Sequence, residues 1–169
     1  MHGLIHLYHG EGKGKTTAAM GLALRALGQG RRVVIMQFLK NGKSGEISPL
    51  RKLGAEVFSG PPETGFTSQM SEAEKKEAAD RYEKTLAHVL SLECDVLVLD
   101  ELCAARSFNM ISAESAMHAV LEGPEERETV ITGRNPEPWM LEAADYITEM
   151  RCERHPFQKG IKARKGIEY

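Results

Sequence analysis

The stretch HGEGKGKTT, residues 9–17, decides how the rest of the chain is read. A phosphate-binding loop is written G-x-x-x-x-G-K-[ST], and Gly14, Lys15 and Thr16 supply its last three positions. The place of the first glycine is held by His9, and Gly10 comes one residue late. Glycines in such a loop let successive backbone N–H groups point inward, and the helix that follows adds the positive end of its dipole. Gly10, Gly12 and Gly14 suit that role. Lys15 would set its ammonium between phosphates, facing solvent in an empty site, and Thr16 would give its hydroxyl to a Mg²⁺ (or Mn²⁺) ion. Lys13 adds a second cation, and Glu11 places a carboxylate beside the phosphates. With Thr17 opening the helix, Gly10 through Thr17 are the nucleotide-binding candidates.

The flanks support a strand-loop-helix setting rather than an idle glycine-rich turn. LIHLYH, Leu4 to His9, is a short strand pattern that stops at glycines. TTAAMGLALRALG is apolar on nearly every face except at Arg25, which predicts a buried helix. Its small residues Ala18, Ala19, Gly21, Ala23 and Ala26 would let it lie close on a sheet, with Gly28 and Gly30 as its stop. RRVVIMQF, Arg31 to Phe38, then reads as a parallel strand covered on both faces.

Further along, a short helical piece ends near Leu53 and a third strand covers Ala55 to Ser59. Gly60 to Met70 is the longest irregular stretch and is flagged as a substrate loop. Ser71 with Glu74 forms a capping box that opens a helix running to about Leu92. The apolar strand DVLVLDE follows, then a helix from Ala113 to Glu122, a strand from Glu128 to Thr132, a helix near Pro138 to Ala144, and a last strand, DYITEMR. The alternation predicts an α/β fold, a mostly parallel sheet with helices on both faces, forming one domain over 1–169.

Asp100 and Glu101 close the apolar strand, and at the carboxyl end of a parallel strand such acids lie beside a phosphate loop and can hold a metal ion or its waters. With Thr16 they form the metal candidates. The bland alternative is that Glu101 only favours the next helix through its dipole. His6 and His9 alternate to opposite strand faces, which argues against a histidine metal cluster with His2. Three scattered cysteines, Cys94, Cys103 and Cys152, form no C-x-x-C pair and read as reduced thiols.

A net charge of -2 gives no global field for nucleic acid, and no apolar run approaches the roughly 20 residues of a membrane-spanning helix. The start lacks a signal peptide's basic and apolar regions, so a cytoplasmic location is expected. Only the end of the chain is basic, with Arg151, Arg154, Lys159, Lys162, Arg164 and Lys165 set against Glu153; a solvated tail and a polyanion-facing surface are equally compatible with it.

On the residues alone, a phosphotransferase or ATPase acting at the γ-phosphate, with Glu101 orienting water or an acceptor, and a binding module without turnover both remain open. The ordered set HGEGKGKTTAAMGLALRALGQG, VVIMQFLKNG, TGFT, VLVLDEL, TVITGRN and HPFQKGIKARKGIEY, spread over nearly the whole chain, resembles the P-loop type ATP:corrinoid adenosyltransferases.

The resemblance implies transfer of the 5′-deoxyadenosyl group of ATP to the Co(I) of cobalamin or a corrinoid precursor, with triphosphate released and ATP held in the opposite sense to ordinary P-loop ATPases. It implies Glu101 as metal ligand with Asp100 supporting, Arg25 approaching the nucleotide, and Arg134 of ITGR contacting phosphate or a corrin side chain. Phe66 of TGFT matches the phenylalanine that lies against the lower corrin face and, with Lys15, is the catalytic candidate. Ser68 stands where the family often carries tryptophan, and Glu11 where relatives can have asparagine. A homodimer and a flavodoxin-like electron donor are the implied protein partners. Because the first strand begins almost at once, cover for the site is expected from a partner subunit, or the site is more open.

Overall fold

The computed structural model describes residues 2–60 and 70–168, so Phe66 and Ser68 of the flagged loop lie outside the described residues. Six strands, β1 (Ile5–His9), β2 (Val33–Gln37), β3 (Glu56–Ser59), β4 (Val96–Asp100), β5 (Glu128–Gly133) and β6 (Tyr146–Glu149), form one sheet in the order β3-β2-β4-β5-β1-β6. Every pairing among the described residues is parallel, so the sheet is wholly rather than mostly so. All six strands therefore end on one edge, where the ligands of open α/β sheets collect.

Strand alternation sorts the core into two layers. Val33, Ile35, Val96, Val98 and Val130 point to one face, under α1 (Lys15–Leu27) and α2 (Ile47–Lys52). Leu7, Val34, Met36, Leu97, Leu99 and Ile131 point to the other, under α3 (Glu72–Ser91), α4 (Leu102–Ser107), α5 (Ala113–Leu121) and α6 (Pro138–Ala143). Both faces are filled by branched aliphatic side chains, which is why the central strands read as continuous apolar runs.

The capping box of Ser71 and Glu74 is formed, and α3 starts one residue after it. The helix α4 entered the sequence reading only through the alternative for Glu101 and was given no range. It spans six residues, and its N-cap, Glu101, makes no side-chain cap bond, so no start signal precedes it.

α1 corrects one expectation. It is not buried all round: Ala19 and Ala23 are fully buried, whereas Leu24 is 50% exposed. Alanines line the sheet side and allow close approach, but Gly21 points to open space, where an added Cβ would meet nothing within 4 Å. Its glycine therefore costs helix stability without serving the packing. The connection matters for function, because α1 leaves β1 and passes beneath β5 and β4 to reach β2. It thereby brings its own N-terminus beside the end of β4.

Gly21→Ala is expected to stabilise the protein by about 1 kcal/mol, raising Tm by about 2–4 °C. Ala23→Leu, two residues on, should lower stability by about 1–3 kcal/mol through overpacking. Thermal melts that showed the two substitutions with the same sign would contradict this placement of the helix face.

Candidate functional site

The carboxyl edge of the sheet carries a cleft of about 1280 Å³ whose lining includes Glu11 through Thr17, Lys40, Glu46, Glu101 and Arg134. Met20, Leu39, Met70, Tyr82, Phe108 and Met110 give it an apolar wall.

The phosphate loop is shaped from outside as well as from within. Met150, just beyond β6, donates its N–H to His9 O at 2.7 Å and accepts the Gly12 N–H at 2.6 Å. A Cβ on either Gly10 or Gly12 would come within 2.6 Å of Met150 O. Those glycines are thus required by the neighbouring backbone, and Gly10 takes φ 104°, a conformation costly to other residues. The displaced glycine serves this close approach. One amide of the loop is turned to Met150, which leaves the amides around Gly14, at φ 121°, and in the first turn of α1 as the remaining donors. Helix geometry leaves the amides of Lys15, Thr16 and Thr17 without intrahelical acceptors.

Lys15 was expected to face solvent, and it does not. It is 7% exposed, and its ammonium donates to Gly10 O at 2.7 Å and Gly12 O at 2.8 Å. Burial lowers its pKa most, and the Arg134 charge lowers it further; Glu101, Glu11 and Asp100 oppose this.

Asp100 is fully buried and saturated. Its Oδ1 accepts from Thr16 Oγ1 at 2.9 Å and Thr132 Oγ1 at 2.7 Å, and its Oδ2 from Lys40 Nζ at 2.6 Å and Gln37 Nε2 at 3.2 Å. These donors come from α1, β5, β2 and the turn after β2, so one carboxylate ties four pieces of chain together.

Glu101 behaves differently. It adopts a left-handed backbone, φ 64° and ψ 26°, which costs a residue with a Cβ about 1–2 kcal/mol. Its N–H is taken by Thr132 Oγ1 at 2.9 Å, while its carboxylate accepts no hydrogen bond among the described residues. Burial pushes this carboxyl above the usual glutamate range, and Asp100 adds to the effect against the pull of Lys40, Lys15 and Arg134. A hydroxyl and two carboxylates are hard oxygen donors of the kind that suit Mg²⁺ or Mn²⁺. The described residues contain no group of three or more His, Cys, Asp or Glu placed to hold a metal.

Arg134, just past β5, also reaches the cleft and pairs with Glu11 at 3.1 Å. Arg25 does not. It lies exposed in the last turn of α1, ten residues and about 15 Å of helix from Lys15. The sequence reading also missed Lys40, Tyr82 and the return of the C-terminal segment, whose Ile167 and Glu168 line the cleft. Lys40 is aimed by an unusual turn: Leu39 has φ 54°, Phe38 donates its N–H to Asp100 O at 2.9 Å, and Leu39 donates its N–H to Tyr82 Oη at 2.9 Å. Periodicity carries no signal for a turn of that kind.

Because the folded pKa of Glu101 is raised, the strain is absent below the unfolded value and grows as pH rises through the folded one. Glu101→Gln is therefore expected to melt about 2–4 °C above the parent at pH 8 in a chelating buffer, the gap closing near pH 4. A gap that stayed constant from pH 4 to 8 would refute a desolvated carboxylate.

Similar proteins bear on this cleft. The family model described as "ATP:corrinoid adenosyltransferase BtuR/CobO/CobP" matches residues 1–169. The chain is 35% identical over 99% of its length to a corrinoid adenosyltransferase of Pseudomonas aeruginosa, covering 84% of that protein. It is 36% identical over 99% of its length to the corrinoid adenosyltransferase of Escherichia coli K12 and to the corrinoid adenosyltransferase CobA of Salmonella typhimurium, covering 86% of each.

Proposed function

The chain belongs to the ATP:corrinoid adenosyltransferase family, a family of transferases acting on ATP and a corrinoid, and from that membership we propose how its residues perform the transfer. In the proposed step the Co(I) electron pair of the substrate attacks C5′ of ATP. The cobalt–carbon bond forms, the C5′–O bond breaks, and its electron pair leaves on the α-phosphate oxygen with the whole triphosphate. Negative charge then grows at the α-phosphate, and preorganised donors aimed at it lower the barrier.

The observation that carries this reading is the composition of the cleft, with a phosphate loop at one end and Met70, Tyr82, Phe108 and Met110 along the wall. Its volume of about 1280 Å³ exceeds the roughly 300–1,000 Å³ of ordinary small-molecule pockets, as two substrates side by side require. The amides of Gly14, Lys15, Thr16 and Thr17 would cradle the triphosphate, and Lys13 and Lys15 would neutralise it. For Lys15 this exchanges the two carbonyls it now holds for phosphate oxygens. Thr16 and Glu101 would hold Mg²⁺ or Mn²⁺, with Asp100 fixing the Thr16 hydroxyl at 2.9 Å. The ion, when bound, contributes positive charge to the leaving triphosphate. Arg134, which lines the same cleft, would contact the phosphates or a corrin side chain. The placement of Arg25 favours a supporting role on α1 over direct nucleotide contact.

The role of Phe66, packing against the lower corrin face so that Co(II) loses its axial ligand and is more easily reduced, rests on the TGFT resemblance. A homodimer, a flavodoxin-like electron donor, a cytoplasmic location and a single domain over 1–169 likewise rest on the resemblance and the sequence. Among the described residues no helix is long and apolar enough to cross a membrane.

An anaerobic assay with ATP and chemically reduced cobalamin is expected to yield a cobalt–carbon bond, read in the visible spectrum, with stoichiometric triphosphate. ADP or orthophosphate in its place would instead identify chemistry at the γ-phosphate. Lys15→Ala should lower kcat/KM about 10²–10³-fold. Phe66→Ala should impair turnover that starts from Co(II) and a mild reductant far more than turnover from supplied Co(I); equal losses would remove its assigned role.

A further inference from the structure

Lys40 occupies an unexpected place. Its ammonium lies 2.6 Å from Asp100 Oδ2 and 3.2 Å from Thr16 Oγ1, and 3.7 Å from Glu46 Oε1 on its other side. Thr16 would help hold the metal ion serving the triphosphate, with Asp100 fixing its hydroxyl, so a side-chain cation stands against two groups of that seat. The position is built rather than incidental. A left-handed Leu39 turns the chain out of β2, and Asp100 O and Tyr82 Oη hold that turn from two directions, with the result that Lys40 points back over Asp100. A non-glycine residue adopts such a backbone only where its surroundings over-determine it.

We propose that Lys40 is the resident counter-ion of the metal seat: it fills the space between Thr16 and Asp100 in the nucleotide-free protein, keeps a free divalent ion out, and yields the place to an ion that arrives with the triphosphate. The proposal rests on reading Thr16, Asp100 and Glu101 as that seat.

Charge decides the selectivity. Lys15 and Lys40 offset Asp100 and Glu101, while the Glu46 carboxylate beside Lys40 is shared with the Gln37 amide, so a free dication meets only weak net attraction there. Removing Lys40 leaves one uncompensated negative charge beside hard oxygen donors, and Coulomb attraction at such separations is large in a partly buried site. When a metal–triphosphate complex enters, its phosphates supply the missing anionic charge. The displaced ammonium then has Glu46 within 3.7 Å and the phosphates in the same cleft as its new partners. Because Lys40 is only partly buried, at 22% side-chain exposure, it can make that exchange without unpacking the core.

The test uses Mn²⁺ alone, without nucleotide, on the full chain, with bound ion read by electron paramagnetic resonance. Lys40→Met is expected to bind one Mn²⁺ at least about tenfold more tightly than the parent protein. Its stability reports the same event: in chelating buffer it should melt lower than the parent, because Asp100 has lost its partner, and Mn²⁺ should raise its Tm more than the parent's. This second reading holds even if the variant is largely unfolded without metal. Equal Mn²⁺ affinity and an equal Mn²⁺-induced Tm rise in the two proteins would overturn the proposal, as would tight Mn²⁺ binding by the nucleotide-free parent. Glu101→Gln added to Lys40→Met should abolish the gain. If the gain persisted undiminished, the ion would be bound elsewhere, and the reading of the seat itself would fall with the proposal.

Discussion

A carboxylate with no solvent access is tolerable only when it is surrounded by donors, and Asp100 has four: Thr16 and Thr132 on one oxygen, Lys40 and Gln37 on the other. The carboxyl edge is organised around this requirement. α1 can present Thr16 because it runs beneath β5 and β4 on its way to β2. β5, inserted between β1 and β4, supplies Thr132, which also takes the Glu101 N–H and so steadies the next acid. β2 supplies Gln37, whose amide bridges to Glu46 at 3.1 Å and accepts from Ser59 at 3.1 Å. The nucleotide end of the cleft and the exit of β3 thus share one hydrogen-bonded network, worth more intact than the sum of its pairs.

Around this anchor the backbone departs from ordinary conformations. Leu39, Glu101 and Asn135 all take positive φ, and each follows the carboxyl end of a strand: β2, β4 and β5 respectively. Asparagine tolerates that region well, but leucine and glutamate do not. The strain falls where side chains must be thrown sideways over the sheet edge, and it is offset by the two apolar layers beneath. Those layers, filled by Val98, Val130, Leu97 and Leu99 at 0% exposure, are the stiff base against which the turns are held.

Much of this was legible in advance, for identifiable reasons. The central strands are covered on both faces and so appear as uninterrupted apolar runs, and the capping box of Ser71 and Glu74 is a local chemical signal. The strand-loop-helix setting of HGEGKGKTT is legible because its glycines stop β1 and the apolar run after them forms α1. What was not legible depends on distant partners. Gly10 and Gly12 answer to Met150, which no local spacing reveals. The burial of Lys15 follows from carbonyls of its own loop only once that loop has been bent. Lys40 depends on a single left-handed leucine, and α4 on a left-handed glutamate in place of a cap. α1 was read as buried throughout because Leu24 is as apolar as its neighbours; only the sheet distinguishes the two sides.

The backbone clasp between Met150 and the glycine loop ties one end of the cleft to an edge strand. β6 pairs with β1 alone at the margin of the sheet, and the carbonyl that fastens Gly12 comes directly after it. Gly12 and Met150 stand about 140 residues apart in the sequence, so the shape of the HGEGKGKTT turn depends on a strand remote from it. Loosening that edge strand would release the glycine turn as well, so the mouth of the cleft is only as firm as the sheet's margin.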